Sequence, residues 1–207
     1  MSQHFPETYF QRHDESSDHN FYSFPRKVVH IDEGAIAALT AYYQEVLPAN
    51  AVILDMMSSW RSHLPEDLQT ERVIGLGMNG EEMADNPQLD AHVVHSLNDN
   101  PRMPYDDNSF DAVLCAVSVQ YLTQPIKVFA DISRILKPDG ICVMSFSNRC
   151  FPTKAVAVWL SMTDKQHLAL VSRYFELAGG FIDIRAEAKT SSQHDPMFIV
   201  SAKKKSE

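Results

Sequence analysis

The chain has 207 residues and a net charge of −9 with its nine histidines counted as neutral, and 44% of its residues are hydrophobic and 22% are charged. This composition is typical of one globular domain with a sizeable core, and it excludes wholesale disorder. The acidic balance argues against long nucleic acids and anionic membranes as main partners, because their phosphate groups attract Lys and Arg.

Neither a membrane span nor a secretory leader is expected. No apolar run has the length of a membrane span, and the polar N-terminus lacks the apolar core of a signal peptide. We therefore expect a cytoplasmic protein. Cys115, Cys142 and Cys150 have no paired spacing, and we expect them to be reduced thiols, the first two in buried strands.

Residues 1–31 differ in character from the rest of the chain, being polar, interrupted by prolines and rich in histidine and acids. A segment of this kind is either a frayed tail or a lid. Its aromatic residues favour a segment that folds back onto the remainder; they are Phe5, Tyr9, Phe10, Phe21, Tyr22 and Phe24. We therefore divide the chain into an N-terminal arm or lid, residues 1–31, and a domain, residues 32–207.

The first half of the domain alternates between helical and extended patterns. Asp32 is placed to N-cap a helix over residues 33–47, which ends before Pro48. Apolar runs then predict strands over residues 51–55, 72–76 and 91–95.

The second half has a clearer order of strand, helix and strand. An apolar strand over residues 110–116 is followed by a helix over 125–136, a turn at Lys137-Pro138-Asp139-Gly140 and a strand over 141–146. Such a unit implies a parallel crossover. Further patterns predict two helices and a closing pair of strands, over residues 153–160, 164–178, 181–188 and 196–203.

Two segments of this half resemble the class I S-adenosylmethionine-dependent methyltransferases. SFDAVLCAVSVQYL resembles the family's fourth strand and the loop after it, and RILKPDGICVMSF resembles the following helix, turn and fifth strand. The likeness extends weakly over residues 32–203. It implies an α/β, Rossmann-like, seven-stranded, mostly parallel sheet with helices on both faces and a C-terminal antiparallel hairpin.

The resemblance implies S-adenosylmethionine as the cofactor, bound beyond the carboxyl ends of the first strands. Asp55 stands where the family ends its first strand with an acid, but Met56–His63 replace the glycine-rich loop that normally follows. Gly77 occupies the position of the acid that binds the ribose, so Asn79 or a side chain of the Ser58–His63 loop would have to substitute. We expect Gly77→Asp to preserve or improve cofactor affinity.

The family's third contact, to adenine, falls in the loop after the third strand. Alignment from the sequence after the loop places this contact at Asp99, and alignment from the end of the third strand places it at Ser96. In either case Leu97 would be an apolar wall and Asn98 a polar contact. The Ser58 and Ser59 hydroxyls should face the cofactor's carboxylate, with Arg61 the nearest fixed positive charge. The expected cofactor-binding residues are Asp55, Met57, Ser58, Ser59, Arg61, Gly77, Asn79, Leu97, Asn98 and Asp99.

The acceptor is expected to be a small molecule. Arg26 and His30, four residues apart, either share a helical face toward the pocket with Tyr22 nearby or merely anchor the arm. Asn148 and Arg149 either contact the substrate or form a turn in which Asn148 caps the next helix. Tyr121 and Gln120 face the same end of the sheet and could flank the methyl group. Deleting residues 1–20 should then affect turnover or acceptor affinity more than stability.

The catalytic residues stay open, with His30 and His63 as candidates for a general base. A hydrolase triad of Ser58, Asp55 and His63 is disfavoured, because the three crowd into nine residues. The histidines and acids of the arm fit no metal-binding spacing, so no metal is expected. The alternative reading is a non-catalytic protein that keeps the methyltransferase fold in a binding or regulatory role. The oligomeric state is left open.

Overall fold

The computed structural model describes residues 5–189 and 193–206. The first four residues of the arm, residues 190–192 of the polar loop expected between the last two strands, and residue 207 lie outside this part. The strands are β1 Ala51–Met56, β2 Thr70–Gly77, β3 Ala91–Val94, β4 Phe110–Ala116, β5 Leu136–Phe146, β6 Phe181–Lys189 and β7 Met197–Lys204. The α-helices are α1 Asp18–Phe21, α2 Glu33–Val46, α3 Gly80–Ala84, α4 Pro125–Ile135, α5 Ala157–Leu160 and α6 Asp164–Ala178. Single 3₁₀ turns cover Glu7–Phe10 and Val119–Tyr121.

The strands form one seven-stranded sheet in the order β3-β2-β1-β4-β5-β7-β6. The first five strands along the chain are parallel, and β7 lies antiparallel to both β5 and β6. The expected fold class is therefore confirmed, including the C-terminal antiparallel pair. Because β1 and β4 are neighbours, the strand order reverses between them, and their carboxyl ends open onto a common crevice.

Apolar residues on the two faces of the sheet form two separate cores. Successive side chains of β1 alternate between the faces, so that Leu54 packs on one side and Ile53 on the other. On the first side, α4 and α6 contribute residues such as Phe129 and Phe175; on the second, α2 contributes Leu39. Helices thus cover both faces, as expected.

The ends of the two longest helices follow their local sequence. The Asp32 side chain accepts a hydrogen bond of 2.9 Å from the Ala35 N–H, which confirms it as the N-cap of α2. Thr163 and Gln166 form a capping box at the start of α6. At its other end Gly179 has a φ of 72°, a left-handed conformation that glycine adopts readily.

The expected turn at Lys137–Gly140 is instead a bulged part of β5. Leu136 pairs with Phe110 and Ile141 pairs with Ala112, so four residues of β5 stand opposite a single residue of β4. Asp139 takes a φ of 63° within this bulge. The Lys-Pro-Asp-Gly sequence bends the backbone locally as a turn would, and pairing with β4 resumes at Ile141.

The helix expected over residues 153–160 is confined to α5, residues Ala157–Leu160. Contacts with the arm account for the difference. Arg12 forms an antiparallel bridge with Val156, and the Ala157 N–H donates to the Gln11 carbonyl over 2.8 Å. These bonds hold the chain extended just before Ala157, and the local helical preference gives way to them.

A buried lysine joins the arm to this segment. The Lys154 ammonium is 1% exposed and lies 2.7 Å from the Ser16 carbonyl, 3.1 Å from the Asp14 carboxylate and 3.3 Å from the Asp18 carboxylate. Arg12 donates two hydrogen bonds to Asp18, over 2.7 and 2.9 Å. We call these four side chains, Arg12, Asp14, Asp18 and Lys154, the ionic cluster.

The ionic cluster changes what a truncation would do. Removing residues 1–20 removes three of its four members and leaves the buried Lys154 ammonium without a carboxylate. Rings near the start of the arm are lost as well, since Phe5 and Phe10 pack against Tyr174 of α6. The deletion is therefore expected to lower stability, contrary to the expectation from sequence.

Two simpler expectations concern cysteines and membranes. Cys115 and Cys142 are free and fully buried, as expected, and Cys150 is free and half-buried. Within residues 5–189 and 193–206, no helix combines the length and apolar character needed to cross a membrane.

Replacing Lys154 by Met tests the ionic cluster. Lys154→Met removes the cation that Asp14 and Asp18 share and leaves the Ser16 carbonyl without this donor, while Arg12 still pairs with Asp18. The substitution should therefore lower the free energy of unfolding by about 2 kcal/mol. The measurement is urea unfolding followed by circular dichroism. Lys127→Met is the control, because Lys127 is exposed on α4 and bonds only Gln124, and it should change the value by less than about 0.5 kcal/mol. Equal effects of the two substitutions would contradict the role of the cluster.

Candidate functional site

A cavity of about 650 Å³ lies at the carboxyl ends of the parallel strands, with the arm along one wall. Its size is that of a pocket for a cofactor-sized ligand. Nine of the ten residues expected to bind the cofactor line it: Asp55, Met57, Ser58, Ser59, Arg61, Gly77, Asn79, Leu97 and Asn98. Asp99 does not line it; its carboxylate is exposed and lies 3.2 Å from His19 of the arm.

Asp55 is the buried carboxylate of this cavity. Only 3% of the residue is exposed, and one of its oxygens accepts hydrogen bonds from the hydroxyls of Ser58, over 2.6 Å, and Ser62, over 2.7 Å. Burial raises the pKa of Asp55 to about 6, although the two hydroxyls act in the opposite direction. Because folding raises this pKa, protonated Asp55 contributes to the free energy of unfolding at low pH. This contribution is lost as the pH rises through about 6.

The loop after β1, residues 57–63, takes left-handed backbone conformations without containing glycine. Met57 has a φ of 59° and His63 a φ of 58°, both in the left-handed region, and both residues line the cavity. Between them, the Trp60 indole N–H donates to the Val28 carbonyl of the arm over 3.1 Å. The Arg61 guanidinium stacks 4.0 Å from the centre of the Trp60 ring and is exposed.

Gly77 is required by the path of this loop. A Cβ at Gly77 would lie 2.3 Å from the Ser58 carbonyl oxygen, a separation at which the loop would have to move. The Ser58 N–H also donates to the Leu76 carbonyl, which holds the loop against the end of β2. The structure therefore argues against the expectation that Gly77→Asp preserves or improves affinity, because the backbone of Ser58 fills the space of the new side chain.

The polar atoms of Asn79 are engaged within the protein. Its side-chain oxygen accepts from the Glu82 N–H and caps α3, while its side-chain nitrogen donates to the Tyr22 carbonyl over 2.9 Å. Glu82, whose backbone N–H bonds the Asn79 side chain, also lines the cavity and is 7% exposed. It accepts hydrogen bonds of 2.5 Å from the Ser59 hydroxyl and from the Arg26 backbone N–H.

The loop after β3 is held by Asn98. Its amide donates to the Asp18 carboxylate and to the Tyr121 carbonyl, and its oxygen accepts from the Thr123 N–H. Its polar atoms therefore fix the loop to the arm and to the segment after β4. Leu97 is buried and lines the cavity, in keeping with an apolar wall.

Aromatic side chains of the arm contact aromatic side chains of the segments that follow β4 and β5. The Phe151 ring lies 5.3 Å from that of Phe21, 5.0 Å from that of His30 and 6.0 Å from that of Tyr121, and Tyr22 packs 5.0 Å from Phe21. We call these five residues the ring cluster. All but Phe21 line the cavity.

Arg26 and His30 do not share a helical face, because residues 24–30 are not helical. Both nevertheless line the cavity. Asn148 does not cap the next helix, whose N-cap is Val156; it lines the cavity beside Arg149, which forms an ion pair of 2.9 Å with Asp195.

Two histidines in the cavity have altered acidity. Burial lowers the pKa of His30, and burial followed by the charge of Arg61 lowers the pKa of His63. Both side chains are therefore neutral at pH 7. The Ser58 hydroxyl bonds Asp55 directly, an arrangement unlike a triad with histidine in between. Within the described residues, no group of three or more His, Cys, Asp or Glu is placed to hold a metal ion.

Glu82, Asp18 and Phe151 are among the cavity residues that the sequence did not point to. Glu82 lies in α3, a helix of five residues that was not predicted. Its sequence signal was present in Asn79-x-x-Glu82, a capping pattern at the end of a strand. Asp18 and Phe151 carry no comparable signal, because the docking of the arm brings them to the cavity.

The family model for a methyltransferase domain matches residues 59–144. Among curated proteins, a malonyl-[acyl-carrier protein] O-methyltransferase from Marinomonas sp. (strain MWYL1) is 27% identical over 70 residues. That match covers 34% of this chain and only 26% of the relative's length.

Solved structures share the fold over most of the chain. An S-adenosylmethionine-dependent methyltransferase from Mesorhizobium loti superposes with a TM-score of 0.56 at 17% identity, covering 81% of this chain and 98% of that one. Phosphoethanolamine N-methyltransferase 2 of Haemonchus contortus, in complex with S-adenosyl-L-methionine, gives a TM-score of 0.59 at 15% identity and covers 83% of this chain and 52% of that one. The chain therefore has the fold of the class I S-adenosylmethionine-dependent methyltransferases, and residues 59–144, fewer than half of the chain, match the methyltransferase-domain model.

Proposed function

We propose that this protein transfers the methyl group of S-adenosylmethionine to a small molecule. The observation that carries the proposal is the cavity of about 650 Å³ at the carboxyl ends of β1 to β5, with the buried Asp55 carboxylate at the position of the family's acid. A carboxylate buried beside a cavity of cofactor size favours a cationic ligand group there, because burying a charge without a compensating partner is costly.

The position of the arm favours a small molecule as the methyl acceptor. The arm forms a wall of the cavity and is joined to the segments after β1 and β2 by three hydrogen bonds. Its backbone accepts from the Trp60 and Asn79 side chains and donates to the Glu82 carboxylate. A polymer would have to displace these contacts, whereas a small molecule fits behind the arm as behind a lid. The net charge of −9 also disfavours nucleic acid. We place the protein in the cytoplasm, in keeping with three free cysteines.

The residues around the loop fit the parts of the cofactor. Asp55 would attract its ammonium group, and the Ser59 and Arg61 side chains would bind its carboxylate. Glu82 lies near the end of β2 and would accept hydrogen bonds from the ribose hydroxyls in place of the missing acid. Leu97 would pack against the adenine.

The bound cofactor supplies a methyl group that is already activated by the positive charge on sulfur. The protein therefore has to align the acceptor and exclude water. His30 stands at the ring cluster with a pKa lowered by burial, so it is neutral at pH 7 and can take the acceptor's proton. Tyr121 is held by a hydrogen bond of 2.8 Å from the Phe151 N–H and forms the cavity wall.

Calorimetric titration with S-adenosylmethionine and S-adenosylhomocysteine tests the proposal. Micromolar binding of both supports a methyltransferase. The alternative, a non-catalytic protein of the same fold with a binding or regulatory role, requires no such binding. Absence of heat and of any thermal shift at millimolar ligand would leave only that alternative.

Arg61→Ala tests the contact with the cofactor's carboxylate. A charge-assisted hydrogen bond contributes about 1.5 to 3 kcal/mol, so the substitution should weaken S-adenosylmethionine binding by roughly tenfold or more. The control is decarboxylated S-adenosylmethionine, which lacks the carboxylate and should bind both proteins almost equally. Equal losses for the two ligands would show that Arg61 supports Trp60 and the shape of the loop instead.

Asp55→Asn tests the pH dependence of binding. With a pKa of about 6, Asp55 is mostly ionised at pH 7 and about one-tenth ionised at pH 5. If its carboxylate attracts the cofactor's ammonium, S-adenosylhomocysteine should bind the wild type about tenfold more weakly at pH 5 than at pH 7. Asp55→Asn should bind weakly at both. The same pH dependence in both proteins would assign it to other groups, such as His30 and His63.

A further inference from the structure

Arg26 is one of the three arginines that line the cavity, with Arg61 and Arg149. Its guanidinium carbon lies 4.3 Å from the centre of the Phe21 ring and 5.8 Å from that of the Phe151 ring. The residue is half-buried. Among the described residues, no carboxylate lies within ion-pair distance of its guanidinium, whereas Arg149 is paired with Asp195.

The carboxylates that line the cavity are already engaged. Asp18 belongs to the ionic cluster, and Asp55 accepts from two serine hydroxyls. Glu82 accepts from Ser59 and from the backbone N–H of Arg26 itself. The last bond fixes the backbone at Arg26 while leaving its guanidinium free to meet a ligand.

The stacking of Arg26 leaves its hydrogen-bonding capacity available. A guanidinium that packs its flat face on an aromatic ring keeps its N–H donors in the plane of the group. Those donors form a fork that matches the two oxygens of a carboxylate. In a half-buried position a carboxylate partner is stabilising, because water screens the charges less than it does at an exposed site.

We propose that the acceptor carries a carboxylate that Arg26 binds, and that its apolar part packs against Phe151 within the ring cluster. This inference rests on the proposed function, since it names the class of molecule that occupies the second half of the same cavity. It also separates the duties of two arginines. Arg61 lies on the loop after β1, on the proposed cofactor side, and Arg26 lies at the Phe21 ring of the arm and the Phe151 ring after β5, on the proposed acceptor side.

Matched carboxylates and amides test the inference. The probes are acetate, phenylacetate and indole-3-acetate, each compared with its neutral amide, and each is titrated by calorimetry with and without saturating S-adenosylhomocysteine. At least one carboxylate should bind the wild type roughly tenfold or more tightly than its amide. Arg26→Gln should abolish that preference, because the amide side chain carries no charge. Arg26→Lys should keep part of it, since the charge remains but the planar fork is lost.

Arg72→Gln is the control, because Arg72 is exposed near the amino end of β2, far along the strand from the cavity. It should keep the full carboxylate preference. The inference is overturned if no carboxylate binds at millimolar concentrations, if carboxylate and amide bind equally, or if the preference survives Arg26→Gln.

Binding of S-adenosylhomocysteine separates this failure from failure of the proposed function. Cofactor binding without a carboxylate preference overturns only the role of Arg26. A carboxylate preference that depends on Arg26, in a protein that does not bind the cofactor, supports the anion site and overturns the methyltransferase proposal. Unchanged cofactor binding by Arg26→Gln also shows that the variant is folded.

Discussion

The pairing of the buried Lys154 ammonium with the arm is the interaction on which the cavity depends, because the arm forms one wall of that cavity. An ammonium that is 1% exposed must be paired, and its partners, Asp14, Asp18 and the Ser16 carbonyl, all come from the arm. The pairing therefore obliges the arm to cross the surface beside α5. That path brings the arm's aromatic residues to Phe151 and closes one wall of the cavity.

From the ionic cluster the arm continues to the opposite side of the cavity. Its backbone meets the Trp60 indole, the Asn79 amide and the Glu82 carboxylate, so it is bonded to both the loop after β1 and the start of α3. The Glu82 carboxylate accepts from both the Ser59 hydroxyl and the Arg26 N–H, so a ligand that displaces Ser59 from Glu82 would also alter the hydrogen bond to Arg26. The same wall thus connects the proposed cofactor contacts with the proposed acceptor contacts.

The loop after β1 adopts left-handed backbone conformations at residues other than glycine. Met57 and His63 hold left-handed φ values, and so does Val117 at the end of β4, where a β-branched side chain is especially unfavourable. Each such residue costs on the order of 1 to 3 kcal/mol and persists only where its surroundings hold it. Here the surroundings include two hydroxyl bonds to Asp55 and the close approach of Ser58 to Gly77.

The sheet, the cap at Asp32 and the place of Asp55 could be predicted from the sequence, because apolar periodicity and capping residues act over a few neighbouring positions. Nine of the ten expected residues also lie at the cavity, since strands of a parallel sheet end at one edge. The sequence did not predict the shortness of α5, the place of Glu82 near the end of β2 or the stacking of Arg26 on aromatic rings. Those outcomes depend on contacts between residues far apart in the chain, which no local pattern records.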